Sequence, residues 1–162
     1  MNKVKDHLKK TLSGTVLKAE FNSKSKGEVL WINPDKIREV TKILKVELMF
    51  DILIDAFTID WLGQKDSRFE MNYLFYHTQD NQRVQLKAEL ADNDKPAIDT
   101  ITDIYGVADW IERECYDMHG IHFNNHPNLK RLLMWKEFKG HPLRKDYKIN
   151  KRQPIPVLDE LL

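Results

Sequence analysis

Cysteine occurs once in these 162 residues, at Cys115. That excludes an internal disulfide, a cysteine ladder for an iron–sulfur cluster and any multi-thiolate metal site, and it hints at a reducing compartment. Charge of one sign is missing as well: 26 Lys and Arg face 25 Asp and Glu, for a net +1. Without a cationic excess there is no electrostatic footprint for nucleic acid, and none is expected as a partner. No stretch approaches the roughly 18 uninterrupted apolar residues of a membrane span. Met1 to His7 is charged where a signal peptide would be apolar, so membrane contact is expected only through partners. There is no Gly-x-Gly-x-x-Gly and no Walker lysine loop, which leaves NAD and nucleotide binding by this chain unsupported.

What is present is an ordinary globular mixture, 41% hydrophobic, 31% charged and 10% aromatic, of a size suited to one core. Residues 3–12 carry Val4, Leu8 and Leu12 at helical spacing, and 15–21 and 27–32 suit strands. Asn33-Pro34-Asp35 is a helix start, with a capping side chain, a proline at the first position and an early acid; Ile37, Val40, Thr41 and Leu44 form the face that follows. Over 51–62, period two places Leu53, Phe57, Ile59 and Trp61 on one side of a strand, with Asp55 out of pattern. The strand at 68–77 sets Phe69, Met71, Tyr73 and Phe75 against Glu70, Asn72, Leu74 and Tyr76, which suits a central strand covered on both sides; that at 82–90 alternates cleanly, and the two form an antiparallel hairpin through Asp80-Asn81. Ile104, Ala108, Ile111, Cys115 and Met118 mark the longest helical signal, which Gly106 can divide in two and Gly120 closes; Asp109, Arg113 and Asp117 are spaced for ion pairs on its exposed side.

Beyond Gly120 the texture changes. Residues 121–162 hold four of the six prolines and little periodicity, so they cannot form a core of their own and must lie along the domain or along another protein. The expected architecture is α+β, a single domain with a mainly antiparallel or mixed sheet of about four strands flanked by helices. Residues 1–120 form the head and 121–162 an extended Pro-rich arm.

Three constellations invite a chemical reading. His119, His122, His126 and His141 lie close together, but Asn124, Asn125 and Pro127 interrupt any helix that would present 122 and 126 jointly. The His-Pro pairs at 126–127 and 141–142 suit turns whose imidazoles cap backbone groups. Glu112, Arg113, Glu114 and Asp117 alternate in sign, which favours salt bridges, on a charged helix face or in a buried ion network that clamps the following loop, over a carboxyl that titrates near neutrality. Cys115 falls on the apolar stripe and suits a buried small hydrophobe. In the arm, Trp135, Phe138, Leu143 and Tyr147 stand among Lys136, Lys139, Arg144 and Lys145, the mixture of a protein interface. A hydrolase using Glu114, Asp117 and a histidine, or an RNA-binding domain using the arm's cations, are the readings from other classes. Neither a catalytic residue nor a cofactor or metal ligand stands out.

The run Trp110-Ile-Glu112-Arg113-Glu114-Cys-Tyr-Asp117-Met-His-Gly120-Ile, continued by His122-Phe-Asn-Asn-His126-Pro127-Asn-Leu-Lys-Arg131-Leu-Leu133, resembles the signature of the 30 kDa subunit family of NADH–quinone oxidoreductase, known also as its C subunit. Gly140-His141-Pro142-Leu143-Arg144-Lys145-Asp146-Tyr147 resembles a second hallmark of that family. His119 replaces a usual aromatic, Asn125 a common glycine and Asn128 a common aspartate. The resemblance covers roughly residues 28–150. It implies a non-catalytic structural subunit of the peripheral arm of a respiratory complex on the cytoplasmic side of the bacterial inner membrane. The implied partners are subunits D and B, and this chain would bind no cofactor. FMN, iron–sulfur clusters, NADH and quinone would belong to the whole proton-translocating complex. A membrane-bound hydrogenase or another donor–quinone complex using the same module is the alternative.

Overall fold

The computed structural model describes residues 3–23, 27–91, 95–148, 150 and 153. Helix α1 (Lys3–Thr11) buries Val4 and Leu8, one turn apart. The carboxylate of Glu28 accepts from the backbone N–H groups of Val4 and Lys5, satisfying donors that the first helical turn leaves open. Strands β1 (Val16–Asn22) and β2 (Gly27–Ile32) pair antiparallel. Asn33 then accepts from the Asp35 N–H at the head of a 3₁₀ turn (Pro34–Lys36), which leads into α2 (Ile37–Val46). Ile37, Val40, Thr41 and Leu44 are buried as their spacing dictates, together with Ile43.

Three strands follow: β3 (Ile52–Asp60), β4 (Phe69–His77) and β5 (Gln82–Leu90). They form a meander whose β4–β5 turn passes through Asn81 at φ +53°. Because β5 pairs parallel with β2, the five-stranded sheet is mixed, in the order β1-β2-β5-β4-β3. Its inward rows are read directly from the register. Leu30 lies beside Leu86, Leu86 beside Tyr73, and Tyr73 beside Ala56; the next row runs Ile32, Ala88, Met71, Thr58. The opposite face of β4 is polar yet covered: Glu70 is fully buried and accepts from Lys65 and Lys87 at 2.8 and 3.1 Å, and Asn72 accepts from Gln85.

Strand β3 departs from the period-two expectation. A bulge between Leu53 and Asp55 inserts Ile54, so Leu53 faces inward before it and Ala56, Thr58 and Asp60 after it. Phe57, expected in the core, is 36% exposed, and Asp60 takes a core position at 4%. One extra residue reverses every later side chain, and composition alone does not reveal it.

After β5, the short strand β6 (Ala97–Asp99) pairs parallel with β7 (His122–Asn124), and α3 (Ala108–His119) lies between them in sequence. The helix begins at Ala108, not at Ile104: residues 102–107 form turns instead, and Tyr105 donates its hydroxyl to the Phe50 carbonyl at 2.6 Å. Gly120 ends α3 in the left-handed conformation, φ +74°. Ile121 and Phe123 continue into the core. Asn125 also has positive φ, +61°, a conformation asparagine tolerates better than most residues.

Candidate docking site at the end of helix 3

The face of α3 expected to be exposed and charged is buried. Glu112 and Asp117 are 0% exposed and Arg113 is 6%. None of the expected pairs at a spacing of four forms; the charged groups reach into the arm instead. Asp117 Oδ1 accepts from Arg131 at 2.6 Å, while Oδ2 accepts from the successive backbone N–H groups of Leu132, Leu133 and Met134 at 2.8–2.9 Å. Burial pushes this carboxyl upward, but the three N–H groups and the guanidinium outweigh it and hold it below the ordinary range. Arg131 also donates to the carbonyls of Phe138 and Gly140, folding the next loop back. Arg113 donates to the carbonyls of Lys130 and Arg131 from beneath and lies against the exposed Trp110 ring.

The arm also completes the helix. The last carbonyls of an α-helix lack intrahelical partners. Here Gly120 N–H donates to Tyr116, His141 Nδ1 to Asp117, Leu143 N–H to Met118 and Arg144 to His119. A cation at a helix C-terminus is also favoured by the macrodipole. Gly120 makes this closure possible, because a Cβ there would lie 2.6 Å from the His141 ring. Further along, Lys145 N–H donates to Asp60 at 2.9 Å, and Arg68 bridges Asp60 and Asp146. Tyr147 packs on Gly140 and stacks with Phe138, 6.0 Å between ring centres. The histidines of both His-Pro turns do bond to backbone: His126 Nδ1 accepts from Asn128, leaving Nε2–H for the Asp109 carbonyl.

Glu112 has no arginine partner. It accepts from the Thr100 hydroxyl at 2.5 Å and the Ile101 N–H at 2.9 Å, and burial pushes its carboxyl up to about 7. The expectation of salt bridges thus holds for Asp117 and fails at Glu112 and at the exposed Glu114. With Asp117 saturated and Glu114 exposed, the hydrolase constellation is not assembled. Burial pushes the Cys115 thiol up to about 12, so it does not fit a thiolate ligand. Among the described residues no group of three or more His, Cys, Asp or Glu is placed to hold a metal, and no helix is long and apolar enough to cross a membrane.

Of the residues singled out in sequence, Glu112, Arg113, Asp117, Gly120, His126, Arg131, Gly140, His141, Leu143, Arg144, Lys145, Asp146 and Tyr147 meet around this anchor. Trp110 and Glu114 face outward beside it. Asp60, Arg68 and Thr100 were missed. The bulge hid the first, and nothing local marks the other two. The arm turns its polar groups toward the head and leaves Leu133 and Leu143 58% and 56% exposed.

Comparison with known proteins agrees with this architecture. The family model for the 30 Kd subunit of respiratory-chain NADH dehydrogenase matches residues 30–153. The NADH-quinone oxidoreductase C subunit of Geobacter sulfurreducens is 40% identical over 123 residues, 75% of this chain and 75% of that protein. Its counterpart in Citrifermentans bemidjiense is 45% identical with the same coverage. The NADH-quinone oxidoreductase C/D subunit of Bdellovibrio bacteriovorus is 34% identical over 94% of this chain and 27% of its own length. A chain of the membrane-bound sulfane sulfur reductase, an archaeal respiratory membrane complex, shares the fold at a TM-score of 0.78 and 20% identity, covering 92% of this chain and 86% of that one. On the family match and these identities, the chain belongs to the 30 kDa subunit family of respiratory-chain NADH dehydrogenase, which supplies the C subunit of NADH-quinone oxidoreductase.

Proposed function

We propose that the chain serves as a non-catalytic structural subunit in the peripheral arm of a proton-translocating NADH–quinone oxidoreductase, with the arm of residues 121–162 as the surface that docks on neighbouring subunits; 149, 151–152 and 154–162 lie outside the described residues. The observation that carries this reading is the orientation of the arm. Its hydrogen-bonding groups engage the end of α3, while Leu133 and Leu143 are left more than half exposed. Apolar anchors on a segment with a rigid polar backing are what a partner interface requires. Subunits D and B are the neighbours. The joining of C and D in one chain of the Bdellovibrio relative supports the first of them. The complex stands at the cytoplasmic face of the bacterial inner membrane, and this subunit reaches the membrane only through its partners. FMN, the iron–sulfur clusters, NADH and quinone are handled by other subunits, in keeping with a chain whose single thiol is buried and protonated.

The test is an affinity pull-down of the tagged chain from solubilised native membranes, with co-purifying proteins identified by mass. Recovery of subunits D and B with the NADH-binding subunits is the expected result. Hydrogenase subunits in their place would assign the chain to a sister complex. The chain alone, from membranes whose complexes are intact, would overturn the docking reading.

A further inference from the structure

Strand β3, at the end of the sheet, and the C-terminal half of α3 enclose a slot of about 220 Å³, to which the arm contributes Leu143. That is below the roughly 300–1,000 Å³ of small-molecule sites and suits a single side chain. The walls are part apolar, from Phe57, Met118 and Leu143, and part polar, from Asp55, Thr58 and Glu114. Phe57, turned outward by the bulge, and Leu143 are exposed, and Met118 lies between β3 and the arm. Asp55 and Glu114 stand exposed at the same slot, and among the described residues neither carboxylate has an ion-pair or hydrogen-bond partner. Their charge bears on the slot: after burial, both help to push the Cys115 thiol upward. Among the described residues no cation is ion-paired with either carboxylate. Burial pushes the His119 imidazole down to about 4, so it is neutral at pH 7. The Arg144 guanidinium donates to the His119 carbonyl and lies over the Phe69 ring.

We propose that this slot receives one arginine side chain from the neighbouring subunit that covers the arm. Its guanidinium would pair with Asp55 and Glu114 against the Phe57 ring, and its stem would lie along Met118 and Leu143. The inference rests on the docking reading above and names the chemistry of the partner at one point of it. Charge complementarity selects a cation, and the aromatic wall selects arginine over lysine, because the planar, weakly hydrated guanidinium stacks on aromatic rings. The slot adjoins Leu143, so the same partner surface can reach both.

The experiment uses the full-length chain in the assembled complex. The double variant Asp55→Asn/Glu114→Gln changes only exposed groups, and an unchanged melting temperature confirms that it folds. Its retention in the complex through a graded salt wash is expected to fall at least tenfold below wild type. A photo-reactive phenylalanine analogue at position 57 is expected to cross-link within a few residues of an arginine on another subunit. Retention equal to wild type would overturn the slot while leaving the docking reading intact. So would a cross-link to a second copy of this chain, to its own residues 154–162, or to a partner segment without arginine. If the wild-type chain itself does not enter the complex, both readings fall together.

Discussion

Replacing Asp117 by Asn tests the anchor most directly, because the side chain is fully buried and every oxygen is engaged. The amide's oxygen can still accept from Leu132, Leu133 and Met134. Its NH₂ must then face the Arg131 guanidinium, donor against donor, where the carboxylate accepted at 2.6 Å. Removing one partner of a buried ion pair costs roughly 3–5 kcal/mol. Arg131 keeps 19% of its side chain in solvent and three carbonyl partners, which places the expected loss near the low end, about 3 kcal/mol. For a domain of this size that is about 6–12 °C in Tm. Thermal unfolding gives the total, and hydrogen exchange locates it: the amides of 132–134 should lose protection first. The pH dependence has a fixed sign. Asp117 is held below its unfolded value of about 3.9, so its stabilisation is present above that pH and is lost as pH falls through the folded value. Wild type and variant should therefore converge in acid. A variant that melts within 1 °C of wild type (about 0.3 kcal/mol), with the 132–134 amides still protected, would refute the anchor.

Glu112 carries the opposite sign. Burial raises it to about 7, so the folded state holds a proton that the unfolded state releases, and stability declines from about pH 4.5 to pH 7, by on the order of 3 kcal/mol. Glu112→Gln can keep its carbonyl on the Ile101 N–H and turn its NH₂ to the Thr100 hydroxyl oxygen; it should flatten that slope, becoming more stable than wild type at pH 8 by denaturant titration. Gly120→Ala forces a left-handed alanine into the His141 ring and should cost about 1–3 kcal/mol, read as Tm and as faster exchange at Leu143. Cys115, buried with its thiol pushed up to about 12, should react with a thiol reagent at neutral pH only at the rate of unfolding. Reaction faster than unfolding would place it outside the core.

Much of the head follows from local pattern. The capped turn at Asn33-Pro34, the helix face at Ile37, Val40 and Leu44, and the clean alternation of Val84, Leu86, Ala88 and Leu90 depend on neighbours one turn or two residues away. The missing cysteines and absent nucleotide loops likewise narrowed the chemistry before any contact was known. The family motifs marked residues that the fold gathers around α3, though not what each touches.

Tertiary structure decided the rest, for two physical reasons. A bulge conserves composition while inverting the side of every later residue, and so it moved Asp60 into the core and Phe57 out of it. A charged helix face has the same spacing whether water or a folded arm covers it. Only the chain's return from residue 121 onward could turn Asp117 from a surface acid into the anchor of three backbone amides and an arginine. Glu112, bonded to Thr100 and Ile101 with the His126 ring 3.9 Å away, is left buried and protonatable near neutrality. Sequence alone determined which residues can hydrogen-bond or carry charge; burial and long-range contact decided which of them do so, because both depend on segments far apart in the chain.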